Sequence, residues 1–395
     1  MARRISLGEL GNWGSGGTPL ASRADYYGGD IPWLIIEDLN DGFVDRAART
    51  ITRLGLENSS AKIVPPGTLL IAMYGSIGKL GIPRIECATN QAIAYCKCDP
   101  AKVDTRFLFH LLLNERGRFL RAGRGGTQQN INQEFLRDYE VLLPSLSEQQ
   151  RIAGLLEQAD RLLRTRRYAL ELSDSFLPAI FLELFGRANP QSASWPGVGL
   201  TELCEHEDDI RCGPFGTQLN RGEFQRSGVP LWGIKHVNTG FQLGTDEFVS
   251  KSKSLELDTY SLLPGDLVMT RKGTIGNCAL YPMHFPPGIM HSDLLRIRLK
   301  AGAVSSVFLN HQLHYSSRIK RQIDLISGGA VMAGINVGML KSIRIQLPPM
   351  ELQQHFSWLV SKHERLRAIQ REALHQAEHL FQTLLHQAFS ESMSC

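Results

Sequence analysis

Two stretches of the chain carry apolar residues at helical spacing over an unusual length. The first begins after Ser147 and places Ile152, Leu156, Ala159, Leu163, Leu170, Leu177, Ile180 and Leu184 on one stripe, interrupted by Arg166 and Ser173. The second has Leu352, Phe356, Leu359, Leu366, Ala373, Ala377, Leu380 and Leu384, interrupted by His363 and Gln370. A near-heptad stripe of about five heptads predicts a helix of about 37 residues, about 55 Å long. A small domain cannot cover such a stripe alone, so the two helices are expected to pair with each other. Ser147-Glu148-Gln149-Gln150, after Leu143-Pro144, reads as a capping box opening the first helix. Pro178 should kink that helix, and residues 189–197 (NPQSASWPG) link it onward.

Elsewhere the period shortens. Residues 31–39 (IPWLIIEDL) and 229–237 (VPLWGIKHV) are short apolar runs between glycines and prolines, the signature of strands. Residues 68–74 and 266–272 follow Pro-Gly turns and are also expected as strands. Residues 107–120 and 307–323 have helical spacing. These elements come in pairs because the chain repeats itself. Shifted by 198, residues 31–78 align without a gap on 229–276 with 11 identities in 48 columns, where average composition gives roughly three. Phe107-Leu108 and His110 meet Phe308-Leu309 and His311, and at a shift of 204 Leu143-Pro144 and Gln149-Gln150 meet Leu347-Pro348 and Gln353-Gln354. The expected fold is α+β: two duplicated mixed domains at 1–146 and 199–349, each followed by a long helix, at 147–186 and 350–390, with a linker at 187–198.

Composition narrows the chemistry. At 395 residues, 43% hydrophobic and 21% charged, the chain can bury two cores. Its net charge of +4 permits nucleic-acid binding without arguing for it. The seven scattered cysteines suit a reduced, cytoplasmic setting, and Cys87, Cys96 and Cys98 lack the further ligands of a zinc site. No apolar run reaches membrane-spanning length. Residues 75–80 (GSIGKL) have too short a spacer for a phosphate-binding P-loop, and no GxGxxG, HExxH or GxSxG motif occurs. The Asn/Asp-Pro-Pro-aromatic tetrapeptide with which adenine methyltransferases hold a flipped base is also missing. The expectation is a binding protein with no catalytic site, metal or cofactor of its own.

Several motifs carry a resemblance. Gly16-Gly17-Thr18-Pro19, residues 26–33 (YYGGDIPW), Ser59-Ser60-Ala61-Lys62, Pro66-Gly67-Thr68, Ala88-Thr89-Asn90-Gln91 and the junction from Leu143-Pro144 to Arg151-Ile152-Ala153 resemble, in that order, the specificity subunits of type I restriction–modification systems. In the second copy Gly213-Pro214-Phe215-Gly216 and His291-Ser292-Asp293 stand in the corresponding places. The resemblance implies two target recognition domains, each reading half of a split, asymmetric DNA target. It also implies two long helices forming an antiparallel coiled coil with pseudo-two-fold symmetry. The implied partners are double-stranded DNA, two methylation subunits that hold S-adenosylmethionine, and restriction subunits that combine motor and nuclease. A DNA-reading subunit of another phage-defence system, or a non-catalytic protein scaffold, is the alternative.

Polar and basic residues in matching glycine-rich places are the candidate DNA contacts, since Arg and Lys suit guanine or phosphate and Gln and Asn suit adenine. They are Thr18, Ser22 and Arg23 against Thr217, Gln218 and Arg221, and Tyr74, Ser76 and Lys79 against Arg271, Lys272 and Thr274. To these are added Arg124, Gln128, Gln129 and Asn130, and Lys235 with His236 where the first copy has Glu37 and Asp38. A solvated loop side chain accounts equally well for any one of them. Arg161, Arg164, Arg166 and Arg167 are read as a solvated or partner-facing helix surface that could also touch DNA phosphate between half-sites. Phe181, Leu182, Phe185, Leu385 and Phe389 are expected to be exposed beside the helical seams, as docking positions for methylation subunits.

Overall fold

The computed structural model describes residues 3–123, 130–186, 189–327 and 334–390. The chain divides into two compact units. The first holds the chain up to Tyr168 with the stretch from Glu372 onward, and the second is Ala169–Arg371. The division falls inside both long helical regions, so each unit owns one mixed domain and a half of each.

In the first unit a five-stranded sheet runs Gly11–Ser15, Ile93–Cys98, Leu69–Ala72, Leu80–Pro83, Gly42–Val44, and a four-stranded sheet runs Arg49–Ile51, Tyr27–Leu34, Cys87–Thr89, Ile63–Val64. The second unit repeats this order strand for strand, as Ile210–Cys212, Leu294–Ile297, Leu267–Thr270, Cys278–Leu280 and Phe248–Val249, Val229–Trp232, Gly288–Met290, Ser261–Leu262. Only Gly42–Val44, parallel to Leu80–Pro83, has no counterpart among the described residues. Both copies also close on themselves, Arg3–Ser6 pairing with Glu140–Leu143 and Gly197–Gly199 with Arg344–Gln346. The strands expected at 68–74 and 266–272 shrink to four fully buried residues each, Leu69–Ala72 and Leu267–Thr270. Each strand is apolar on both faces because its alternate side chains enter two different clusters: Leu69 and Ile71 join one and Leu70 and Ala72 another, as do Leu267 with Met269 and Val268.

The helix expected at 107–120 is Thr105–Ala122, its N-terminus capped by the Asp104 carboxylate, which accepts from the backbone of Arg106 and Phe107. The helix expected at 307–323 is two, Ser306–Tyr315 and Ser317–Ser327, broken at Ser316. The first long helix is Leu146–Asp174, continued after a break by Phe176–Phe185. Pro178 explains the break: it has no N–H for the Asp174 carbonyl, and its ring crowds that carbonyl. The expected cap is off by two residues, because the Ser145 hydroxyl accepts from Glu148. The second long helix, Met350–Ser390, runs 41 residues without interruption.

These helices do not bury their stripes against each other alone. In the first unit Ile152, Ala153, Leu156, Ala159 and Leu163, with Ala377, Phe381, Leu385 and Phe389, belong to the same core as Phe107 and Leu108 of the mixed domain. In the second, Phe181, Phe185, Phe356 and Val360 join Phe308, Leu309 and Leu313. Within the second unit the helices run antiparallel: His363 Nε2 meets Ser173 at 2.9 Å, Arg367 pairs with Asp174, and the rings of Phe356 and Phe181 lie 5.6 Å apart. Among the described residues no helix is long and apolar enough to cross a membrane.

Candidate nucleic-acid interface

After each central strand the chain makes the same turn. Ala72 N–H donates to Lys79 C=O at 2.9 Å, Gly78 N–H returns to Ala72 C=O at 2.9 Å, and Ile131 N–H closes on Met73 C=O at 3.1 Å. In the second unit Thr270 donates to Asn277 at 2.8 Å, Gly276 to Thr270 at 3.0 Å and Ile335 to Arg271 at 3.1 Å. Gly75 and Gly78 sit at φ +63° and +76°, and Gly273 and Gly276 at +69° and +78°, a region that side-chain-bearing residues rarely adopt. The repeated glycines are thus a backbone requirement, and the residues between them are free to differ.

The motifs that carry the family resemblance converge beside these turns. Gly17 N–H donates to Thr89 C=O at 2.9 Å, and Trp33 Nε1 donates to Gly17 C=O at 3.1 Å. A Cβ on Gly16 would collide with the Thr89 backbone, and one on Gly17 with Ser60 and Ala61. The Thr18 hydroxyl is hydrogen-bonded to the Gln91 side chain. In the second unit Gly213 lies against the His291 backbone in the same way. Segments some seventy residues apart in sequence meet here because the glycine backbone must touch the sheet.

The candidate contacts are presented unequally. Thr18, Ser22, Arg23, Tyr74 and Ser76 are exposed, as are Thr217, Gln218, Arg221, Lys235, Lys272 and Thr274. Several are already engaged. Arg23 pairs with Asp25 at 2.7 Å and lies 4.9 Å over the Tyr26 ring. Lys79 is half-buried and donates to Ile36 C=O at 3.2 Å. Gln218 accepts from Phe215 N–H and the Tyr260 hydroxyl, and Lys235 pairs with Asp246 at 2.8 Å. Arg271 is half-buried, 5.1 Å from the Phe215 ring centre, with a guanidinium nitrogen 3.0 Å from Cys212 Sγ. Lys272 pairs with Asp293 at 3.2 Å, and the Thr274 hydroxyl donates to Asn238 at 2.8 Å. Asn130 is exposed and bridges to Tyr74, whereas Arg124, Gln128 and Gln129 lie outside the described residues.

His236 departs from expectation. It is fully buried, its Nδ1 accepts from Gly233 N–H at 2.9 Å, and its ring meets Trp232 edge-on at 4.9 Å. Burial lowers its pKa, so it closes a helical turn as a neutral ring rather than facing solvent. Its counterpart Asp38 also bonds backbone, at Ile35 and Ala48, so the change of charge at that position has a structural cause. The docking set also needs correction. Phe181, Phe185, Leu385 and Phe389 are buried in the unit cores, and of the five only Leu182 is exposed. The mixed domain of the other copy covers them: Phe181 and Phe185 pack against the second domain, and Leu385 and Phe389 against the first. In the arginine run, Arg164 pairs with Asp160 and bonds the Asp41 carbonyl, and Arg167 pairs with Glu378 at 3.3 Å, leaving Arg161 and Arg166 as exposed cations.

Two features went unread in the sequence. Gln149 is buried: its Oε1 accepts from Asp104 N–H at 2.9 Å and its Nε2 donates to Lys102 and Pro144 carbonyls. Gln353 does the same with Ser305 N–H at 2.9 Å and Pro348 C=O at 2.8 Å. The repeat identity of Gln149 and Gln353 was the available signal. The other is basic charge on helices beside the turns, at Arg116 and at Arg318, Lys320 and Arg321.

Comparison with known proteins agrees with this architecture. A family model described as the type I restriction modification DNA specificity domain matches residues 3–172 and 199–379. The specificity subunit of the type I restriction enzyme EcoR124I/EcoR124II from Escherichia coli is 27% identical over 164 residues, 40% of each chain. That of MjaIX from Methanocaldococcus jannaschii is 30% identical over 265 residues, 62% of this chain and 60% of that one. The match thus spans about half the length of these first two curated relatives. The MjaVIII specificity subunit of the same organism is 23% identical over 95% of this chain and 88% of its own. In fold, the crystal structure of a type I restriction–modification S subunit from M. genitalium superposes with a TM-score of 0.61 at 15% identity, covering 98% of this chain and 96% of that one. With the specificity domain matched twice, over most of its length and on the two units that the structure duplicates, the chain belongs to the type I restriction–modification DNA specificity family.

Proposed function

We propose that this chain is the DNA-recognition subunit of a type I restriction–modification complex and reads a split, non-palindromic target, one half with each mixed domain. One observation carries the reading: the same backbone turn occurs twice with different side chains, Tyr74-Gly75-Ser76-Ile77-Gly78-Lys79 and Lys272-Gly273-Thr274-Ile275-Gly276-Asn277. Base identity is read by side-chain donors and acceptors on a fixed scaffold, whereas phosphate contacts only position. Two scaffolds of one shape carrying different chemistry suit a target with unlike halves, and long helices rather than a flexible linker suit a fixed distance between them.

In this reading the chain has no catalytic site and works in the cytoplasm. The S-adenosylmethionine and the methyl-transfer chemistry belong to two methylation subunits that dock on this chain, and cleavage belongs to restriction subunits. The test is single-molecule sequencing for methylated adenine in DNA from cells expressing the methylation subunit with and without this chain. A bipartite asymmetric motif that depends on the chain is the expected result. Methylation indifferent to it rejects the recognition role and favours a scaffold.

A further inference from the structure

The two turns differ in what stands beside them, and the difference concerns charge. In the first unit the side chains of Arg116 and Phe119, one helical turn apart, cover Gly78. In the second, Ile323 covers Gly276, and the residue one turn before it is Lys320. Arg116 and Lys320 therefore hold the same place in the repeat.

Arg116 is used up internally. Its Nε donates to Gly78 C=O at 2.8 Å and its two terminal nitrogens clasp the Asp41 carboxylate. Lys320 has no such acid, because the position matching Asp41 is Thr239. It is exposed, and among the described residues its side chain makes no ion pair or hydrogen bond. It borders an open cleft of about 380 Å³ that also exposes Thr274, Asn277, His314 and Asp324. Arg318 and Arg321 flank it on the same helix, exposed and likewise without an ion pair among the described residues, while Ile319 and Ile323 anchor the opposite face in the core. The Thr274 hydroxyl and Asn277 amide both donate to Asn238, so Lys320 is the cation that the cleft leaves uncommitted.

We infer that the helix Ser317–Ser327 is a phosphodiester-binding face of the second domain, with Lys320 and its flanking arginines gripping the DNA backbone beside the turn that carries Lys272 and Thr274. The first domain has given up the equivalent contact to the Arg116–Asp41 clasp. This rests on the DNA-recognition reading and adds an asymmetry to it. The second half-site would be held more by charge, and lose more affinity with salt, than the first.

The test measures binding of the full chain to a mixed-sequence DNA duplex between about 50 and 200 mM NaCl, where each phosphate contact contributes a slope of about 0.9 in log affinity against log salt. Lys320→Gln is expected to lower that slope by about one, and the triple variant with Arg318→Gln and Arg321→Gln by about two to three. Lys251→Gln, an exposed cation elsewhere in the domain, should leave it unchanged. An unchanged slope in the triple variant, or an equal loss from Lys251→Gln, overturns the inference while leaving DNA recognition intact. A wild-type chain without salt-dependent DNA binding overturns both. Inorganic phosphate titrated against the wild type should give no saturable effect; saturable binding lost in Lys320→Gln assigns the cleft to a free anion instead. All three side chains are exposed, so an unchanged thermal midpoint verifies that the variants fold.

Discussion

A single buried side chain often decides how a segment sits, and two kinds do so here. Gln149 and Gln353 each satisfy the first backbone donor before a domain helix and a carbonyl before the long helix, tying the two helix starts together. Replacing Gln149 with Leu leaves a half-buried N–H and two carbonyls without this partner, and should cost about 1–2 kcal/mol, read as a lower urea midpoint. The second kind is histidine. His110 is 3% exposed against Phe109 and Phe381, and burial pushes its pKa down to about 4 from the ordinary 6.5. Its folded form stays neutral where the unfolded chain takes up a proton, so stability is intact above pH 6.5 and falls as pH drops toward 4. The full loss is on the order of 3 kcal/mol. His110→Leu should flatten that part of the acid limb; an unchanged limb would show that His110 is not the group titrating.

At the level of elements, the break before Pro178 is capped from the other long helix. His363 Nε2 reaches the Ser173 hydroxyl at 2.9 Å and its carbonyl at 3.0 Å, its ring stacks on Phe176 at 5.1 Å, and Arg367 pairs with Asp174. Of these, Ser173 and His363 interrupt the heptad stripes in sequence. In the structure they face each other within the second unit, the pattern by which a polar pair fixes helix register. Ser173→Val leaves His363 buried with one partner fewer, and should lower the second unit's thermal stability by about 1–2 kcal/mol. Calorimetry that finds no change would assign register to the surrounding aromatic rings alone.

For the whole molecule the consequence is modularity. Each unit contains its own sheets, its own core and a share of both long helices, so changes to one turn need not disturb the other unit's core. Exchanging Lys272 for Tyr and Thr274 for Ser imports two side chains from the first turn into the second. If the turns read bases, the methylated motif should change in one half and stay the same in the other. A motif unchanged in both halves would move the base contacts away from these turns.

Much of this protein was legible in the chain because repetition and period are local or countable properties. The 198-residue shift foretold two domains of one topology, and the sheets match strand for strand apart from Gly42–Val44. The apolar stripes foretold the long helices, and Pro178 foretold the break, since a missing N–H acts within one turn. Burial depends on what lies opposite a residue, and period alone does not contain it. Phe181, Phe185, Leu385 and Phe389 read as exposed because the stripe says which residues share a face, not that a domain folds over it. His236 read as a surface cation for the same reason: only the packing of Trp232 and the turn at Gly233 makes it a buried cap. Whether a positive charge is spent or available was also a tertiary matter. Arg116 meets an aspartate 75 residues away, and Lys320, at the same place in the repeat, meets none.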